Sequence, residues 1–392
     1  MTGIWPTVPA GVAEAPRPRG RRWPLVVLLG LLAAVVGTAV GLAINQAGGY
    51  FVFSPGTAPL ITTSSSCRST PAGLALPGGA PCVRLEVPRA RSHGMKGRLL
   101  MVDVEVSQAS PLDWAEYELG ILSKHDEMVS VAAYTGNTPA SELACQDAQQ
   151  MVSADQDAAL AALTVLRYKV GASELGAQVV GVRASSPAWA AGIKCNDVLT
   201  AVDGHPVSTA EALTAALKSV APGTAVTIMD KHGGKGHPKP VKVVMAKPPA
   251  SIVRQGFRDR SYLGVETQTL IRPVLPFHVS VDAGNIGGPS AGLAFTLAIL
   301  DSLSSGNLTG GHRVAATGTI SPDGAVGPVG GVREKTVAVQ RAGAQVFFVP
   351  TAEYADARSM AGPGLQVVPV ANLAQVLSVL THRFGGSPLS GA

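Results

Sequence analysis

Charge is scarce in this sequence: Asp, Glu, Lys and Arg make up 15% of it against 46% hydrophobic residues, and aromatic residues only 5%. The apolar excess comes mostly from Ala, Val and Leu, which excludes a disordered or highly charged chain and leaves globular domains. A length of 392 residues is enough for two or three of them, each with its own core. No G-x-x-x-x-G-K-[ST] phosphate loop occurs, since Gly233-Gly234-Lys235-Gly236 lacks both the spacing and the hydroxyl, so an ATP-driven unfoldase is excluded. No His-x-x-x-His pair or clustered carboxylates mark a metal site, no cofactor is expected, and His232, His237 and His312 read as loop residues. The net charge of +5 comes from basic residues that are spread along the chain apart from one N-terminal cluster, so nucleic acid is not an expected partner.

The four cysteines, Cys67, Cys82, Cys145 and Cys195, fit neither a zinc ribbon nor a Cys-x-x-Cys redox motif. In an oxidising compartment an even count favours disulfides, and Cys67 with Cys82 is the candidate pair because the two close a short Pro/Gly-rich loop. Two unpaired thiols are the competing reading, and the connectivity of the others is unreadable.

What is present begins with Arg17, Arg19, Arg21 and Arg22 in a basic tail over 1–23, followed by an apolar run from Leu25 to Ile44. About 20 helical residues cover the ~30 Å hydrocarbon core, and preceding arginines hold that end in the cytoplasm. The expectation is a single transmembrane helix over 24–45 with everything after it extracytoplasmic. A cleaved signal peptide also fits the small residues Ala39, Gly41 and Ala43, although its apolar region is usually only ~7–15 residues long.

From Tyr50 to Pro88 the chain is rich in Gly, Pro, Ser and Thr and reads as a tether, within an extracytoplasmic N-terminal region over 46–165 to which no chemistry attaches. Strand character runs over Leu99 to Val106, and helices are expected from Pro111 to Lys124 and from Ser141 to Arg167. From Gln178 short strands and turns take over. The order strand, Ser186-Pro187-Ala188, Ala191-Gly192-Ile193, Asn196-Asp197-Val198-Leu199, Val202-Asp203-Gly204, helix, strand resembles the PDZ domain, placed here over 166–248. That resemblance implies a peptide tail added as an extra strand, with its carboxylate held by Leu175-Gly176-Ala177 ahead of a strand; a simple turn is the alternative for those three residues.

The most informative stretch is Gly287-Gly288-Pro289-Ser290-Ala291-Gly292, which opens an apolar helix running to about Leu303. A helix start directs unpaired amides and a positive dipole end at nearby negative charge, so an oxyanion would be stabilised there. Ser290 is either a helix cap or a nucleophile. A nucleophile needs a base. Projected as a helix, Val332 to Gly343 places Lys335 on the apolar stripe with Val332, Ala338, Val339 and Ala342. Desolvation there would lower its pKa into the range of a general base, whereas a snorkelling lysine would keep its head in water.

Gly-Pro-Ser-Ala-Gly followed by Gly330-Gly331-Val332-Arg333-Glu334-Lys335 closely resembles the proteolytic domain of Lon proteases over about Leu263 to Phe384, including Thr317-Gly318-Thr319-Ile320. The resemblance implies a Ser290–Lys335 dyad in an α+β, ribosomal protein S5 domain 2-like fold over 255–385. It further implies that Thr317 hydrogen-bonds the lysine, that His278 lies on the strand preceding the serine loop, and that Gly287, Gly288 and Pro289 form the oxyanion loop. Gly287 departs from Lon itself, where an acidic residue usually precedes Gly-Pro-Ser. With the anchor and the PDZ module, the chain resembles the YlbL-type membrane-anchored Lon-like proteases. The implied function is ATP-independent hydrolysis of extracytoplasmic or membrane-associated proteins, with peptide tails as PDZ partners and a homo-oligomer by analogy with ring-forming Lon domains. The rival readings are an inactive membrane-tethered scaffold and, last, a nucleic-acid-binding S5-like protein.

Overall fold

The computed structural model describes residues 44–387 apart from 71–72, 136–139, 235, 250–260 and 285, together with Gly37, Thr38, Gly41 and Leu389. Most of the apolar run Leu25 to Ile44 therefore lies outside the described residues. No helix among the described residues is long and apolar enough to cross a membrane.

A seven-stranded sheet organises the larger body. Its order is Ser280–Asp282, Cys82–Glu86, Leu60–Thr62, Arg98–Leu100, Arg313–Ala316, Val346–Pro350, Gln366–Val370. The last four strands run parallel, and helices cover both faces. Strands enclosed this way are apolar on both sides. Leu99, Val314, Ala316 and Phe348 pack under the helices Ala140–Val165, Gly292–Leu303 and Leu373–Phe384, whereas Leu100, Ala315, Phe347 and Val349 pack under Val332–Arg341 and Tyr354–Met360. The helix Gly292–Leu303 is buried at every residue, and its Asp301 is tolerated there because the carboxylate accepts the amides of Lys96, Gly97 and Leu308.

The stretch read as a tether is packed structure. Within it, Leu60–Thr62 and Cys82–Glu86 are two of the seven strands, and Tyr50–Pro55 forms a separate sheet with Val104–Gln108 and Glu127–Ser130, while the strand character expected over Leu99 to Val106 divides into Arg98–Leu100, a third strand of the seven, and Val104–Gln108. Short lengths and interspersed Gly and Pro hid the strands before Pro88, because runs of three to six residues leave little periodicity to read. The disulfide Cys67–Cys82 is formed, and a second, Cys145–Cys195, joins the long helix Ala140–Val165 to the smaller body.

That smaller body is a sheet in the order Lys239–Val244, Ala225–Lys231, Val198–Val202, Gly171–Val182, Val265–Val274, with the helix Ala210–Lys218 against it and its own core around Leu199, Leu213 and Ile228. Val265–Val274, expected in the C-terminal domain, instead pairs antiparallel with Gly171–Val182 from Val265 opposite Val182 to Val274 opposite Gly171. One strand from within 255–385 therefore completes the sheet of 166–248. One sheet built from residues on both sides of the PDZ-like module is interrupted by it between the long helix and Ser280–Asp282.

Candidate active site and peptide groove

Ser290 sits in a single 3-10 turn, Pro289–Ala291, that runs directly into the buried helix Gly292–Leu303. Its carbonyl accepts the Gly318 amide at 2.9 Å and the Thr317 hydroxyl at 3.1 Å, and Leu293 N donates to Gly318 O at 3.1 Å, so Thr317-Gly318 clamps the turn. The role implied for Thr317 is corrected by this geometry: its hydroxyl is given to the serine's backbone and not to Lys335. On the other side, Gly288 N donates to Asp147 O of the long helix at 3.2 Å, so that amide is already engaged. The Ser290 amide, in the first turn, has no carbonyl of its own helix to meet.

Lys335 is 4% exposed, on the helix Val332–Arg341. Burial lowers its pKa from the usual lysine range to about 8, against the opposing pull of Asp103, Glu353 and Glu334. Lys335 and Ser290 line one cavity of about 710 Å³, together with Gly287, Gly288, Pro289 and Asp103. Neither side chain makes a hydrogen bond to the other or to any other described residue. Asp103 went unnoticed in the sequence. Its carboxylate accepts the amide and, at 2.9 Å, the hydroxyl of Thr57, and its negative charge favours the Lys335 ammonium. The signal was one acid inside Leu99-Leu100-Met101-Val102-Asp103-Val104, a residue type that an apolar strand does not otherwise need.

His278 is not brought to this cavity. It precedes the strand Ser280–Asp282, is exposed, and places Nε2 3.1 Å from Ser280 Oγ.

In the smaller body, Leu175-Gly176-Ala177 is not a loop. The three residues lie inside Gly171–Val182, with Ala177 opposite both Leu199 and Thr269. Gly176 is required there for close approach: at φ 142° a Cβ would stand 2.8 Å from Val198 Cγ1 and 2.9 Å from Leu199 O. A glycine in sequence reads as a turn, and only the neighbouring strand reveals the other reason for it. A candidate groove lies between the helix Ala210–Lys218 and the edge strand Val265–Val274. This cavity of about 290 Å³ is lined by Leu213, Leu217, Tyr262, Leu263, Val265 and Thr267. At its end Gly264 holds φ at 86°, and the amides of Leu263 and Gly264 make no hydrogen bond among the described residues. A free strand edge, an apolar trough and two unpaired amides are what an added peptide strand with a terminal carboxylate needs.

Comparison with known proteins finds two domain matches along the chain, whose ranges follow the sequence and not the sheets. Residues 247–383 match the Lon protease (S16) C-terminal proteolytic domain, and residues 149–243 match the PDZ domain. The chain therefore carries a proteolytic domain of the Lon serine-protease type together with a PDZ domain. Among characterised relatives, it is 32% identical over 120 residues to the Lon protease of Mycolicibacterium smegmatis, covering 30% of this chain and 15% of that one. It is 29% identical over 141 residues to the Lon protease of Chloroflexus aggregans, covering 35% and 16%, and 45% identical over 78 residues to that of Malacoplasma penetrans, covering 19% and 10%. The matched part thus spans at most about a sixth of these relatives' length. Among solved structures, the PDZ domain of the SdrC-like protein from Listeria monocytogenes is 20% identical with a TM-score of 0.20, over 24% of this chain and 87% of that one.

Proposed function

We propose that the chain is an ATP-independent serine endopeptidase in which Ser290 is the nucleophile and Lys335 the general base. The observation that carries this reading is an amine 4% exposed, lowered to about 8, in the same cavity as a serine at a helix start. Neutral Lys335 takes the Ser290 Oγ proton as the oxygen attacks the peptide carbonyl, and the oxyanion develops at the amide end of the Pro289–Ala291 turn. The ammonium then protonates the leaving amine, and water hydrolyses the acyl-enzyme by the same route in reverse. Peptide tails of substrates or partners dock along Val265–Val274, their carboxylates on the Leu263 and Gly264 amides. This relocates the tail site from Leu175-Gly176-Ala177.

Membrane anchoring through Leu25 to Ile44, with the catalytic body extracytoplasmic, is part of the proposal. It is supported by the arginines ahead of that run and by the two disulfides, which suit an oxidising compartment. No phosphate loop occurs within the 392 residues, so the substrates proposed for them are flexible or already unfolded.

The purified chain should cleave an unfolded protein such as casein, and Ser290→Ala and Lys335→Ala should each abolish cleavage with unchanged melting. The inactive-scaffold reading has one observation in its favour, the Gly288 amide already bound to Asp147 O. Covalent labelling of Ser290 by a serine-directed inhibitor separates the two: an active site labels, a scaffold does not.

A further inference from the structure

Away from the protease cavity and the peptide groove, three ligand-capable side chains meet at one corner of the PDZ domain. Asp197 stands at the entry to the strand Val198–Val202, while Asp230 and His232 stand at the exit of Ala225–Lys231, and Val198 pairs opposite Lys231 with Leu199 opposite Asp230. Ligand atoms of Asp197, Asp230 and His232 all lie within 4.8 Å of one another. Asp197 lies more than thirty residues before the other two in sequence, so Asp230 and His232 read there as a strand end and a loop histidine with no third ligand near them.

The corner is built rather than incidental. Asp197 is fully buried, with Oδ2 accepting Lys194 N at 2.7 Å and Oδ1 accepting Gly233 N at 2.8 Å while facing His232 Nδ1 at 2.8 Å. Asp230 falls on the inward alternation of its strand, after Val226 and Ile228, and is 6% exposed. Its Oδ1 is buried and finds no hydrogen-bond donor. Among the described residues no lysine or arginine lies within salt-bridge distance of either carboxylate. A carboxylate oxygen buried without a donor costs more than an apolar side chain would at the same place. Asp197 and His232 are the groups that face Asp230, and a cation held among the three would give that oxygen a partner.

We propose that Asp197, Asp230 and His232 form a binding site for a divalent cation of the zinc class. One imidazole with two carboxylates suits Zn²⁺ better than Ca²⁺ or Mg²⁺, which take all-oxygen sets. Metal–ligand bonds of about 2.0–2.2 Å in a tetrahedron separate ligand atoms by about 3.3 Å, so the three side chains draw together while the Asp197–His232 contact opens slightly. Binding displaces the Nδ1 proton, which goes to solvent from the imidazolium or is exchanged through solvent for one on the exposed Nε2 of the neutral ring, so that a neutral Nε2–H imidazole donates its Nδ1 lone pair to the metal. The amides of Lys194 and Gly233 keep the Asp197 carboxylate aimed at the ion. Water completes the fourth position from the exposed side of His232, whose side chain is 67% accessible. Asp197 lies two residues past Cys195, the cysteine bonded to the long helix, so the cation fastens the Lys231 hairpin to the loop that the disulfide ties to the catalytic body.

The test uses the full chain, stripped with a chelator and titrated with ZnCl₂ by calorimetry, with melting followed in parallel. Wild type is expected to take up one equivalent that both Asp230→Asn and His232→Gln lose, and zinc is expected to raise Tm only in the wild type. CaCl₂ and MgCl₂ at the same concentration should do neither. Because His232 is exposed, His232→Gln keeps the fold even if Asp230→Asn does not. Equal zinc uptake by wild type and His232→Gln, no uptake by either, or equal binding of calcium overturns the proposal.

Discussion

Lys335 owes its chemistry to competition between burial, which disfavours the ammonium, and three carboxylates that favour it, of which Asp103 contributes most. Since burial wins and the pKa lies at about 8, the neutral amine grows as pH rises through that value, and kcat/KM should rise with it. Removing the Asp103 charge removes a stabiliser of the ammonium, so Asp103→Asn should move that rising limb to lower pH. A pH–rate profile checks the sign, and a limb that stays in place means Asp103 does not act on the amine. Thr317 is a second residue whose part depends on one contact. Because its hydroxyl meets the Ser290 carbonyl, Thr317→Val should lower kcat and cost about 1 kcal/mol of stability while leaving the pH midpoint unchanged. A shifted midpoint would place that hydroxyl on the lysine after all.

Among the elements, the strand Gly171–Val182 shows how a residue can be read correctly as special and wrongly as to why. Gly176 suggests a break, yet it stands mid-strand so that Val198 and Leu199 can approach. Gly176→Val should therefore lower PDZ stability by about 2–4 kcal/mol, combining overpacking with strain at its positive φ. Chemical denaturation followed by a PDZ-specific probe measures it, and a loss under about 0.5 kcal/mol, the range of unremarkable surface changes, would return the residue to a loop. The helix Val332–Arg341 is the opposite case. Its apolar stripe, with Lys335 on it, could be read from periodicity because a ten-residue helix repeats its pattern nearly three times. Strands as short as Leu60–Thr62 repeat nothing, and their role came from pairing partners far away in sequence.

At the scale of the whole molecule, a sheet shared between residues 60–100 and 313–370 makes the protease inseparable from the segment before the PDZ domain. A chain truncated to residues 247–392, although it contains the matched proteolytic region, should fail to fold because three central or near-central strands are missing. By contrast, excising 172–273 and joining the ends by a short Gly/Ser linker should leave a folded body that still labels at Ser290, since Gly171 and Val274 are direct partners across the ladder. Circular dichroism, melting and inhibitor labelling of both chains decide it; a cooperatively folded 247–392 fragment would contradict the insertion.

The sequence by itself determined the two candidate groups, a serine at a Gly-Pro helix start and a lysine on an apolar stripe, which are local features readable within a dozen residues, while the choice of nucleophile and base came from the resemblance to Lon proteases. It also marked the Cys67–Cys82 loop and the PDZ-type run from Ser186 to Leu199. Tertiary structure alone decided which distant residues, Asp103, Asp147 and Thr317, stand beside Ser290 and Lys335, that Leu175-Gly176-Ala177 lies within a strand, and that the PDZ-like sheet falls between segments of the seven-stranded one. Those depend on strand pairing and burial between distant segments, and pairing energy resides in partners that no local window of sequence contains.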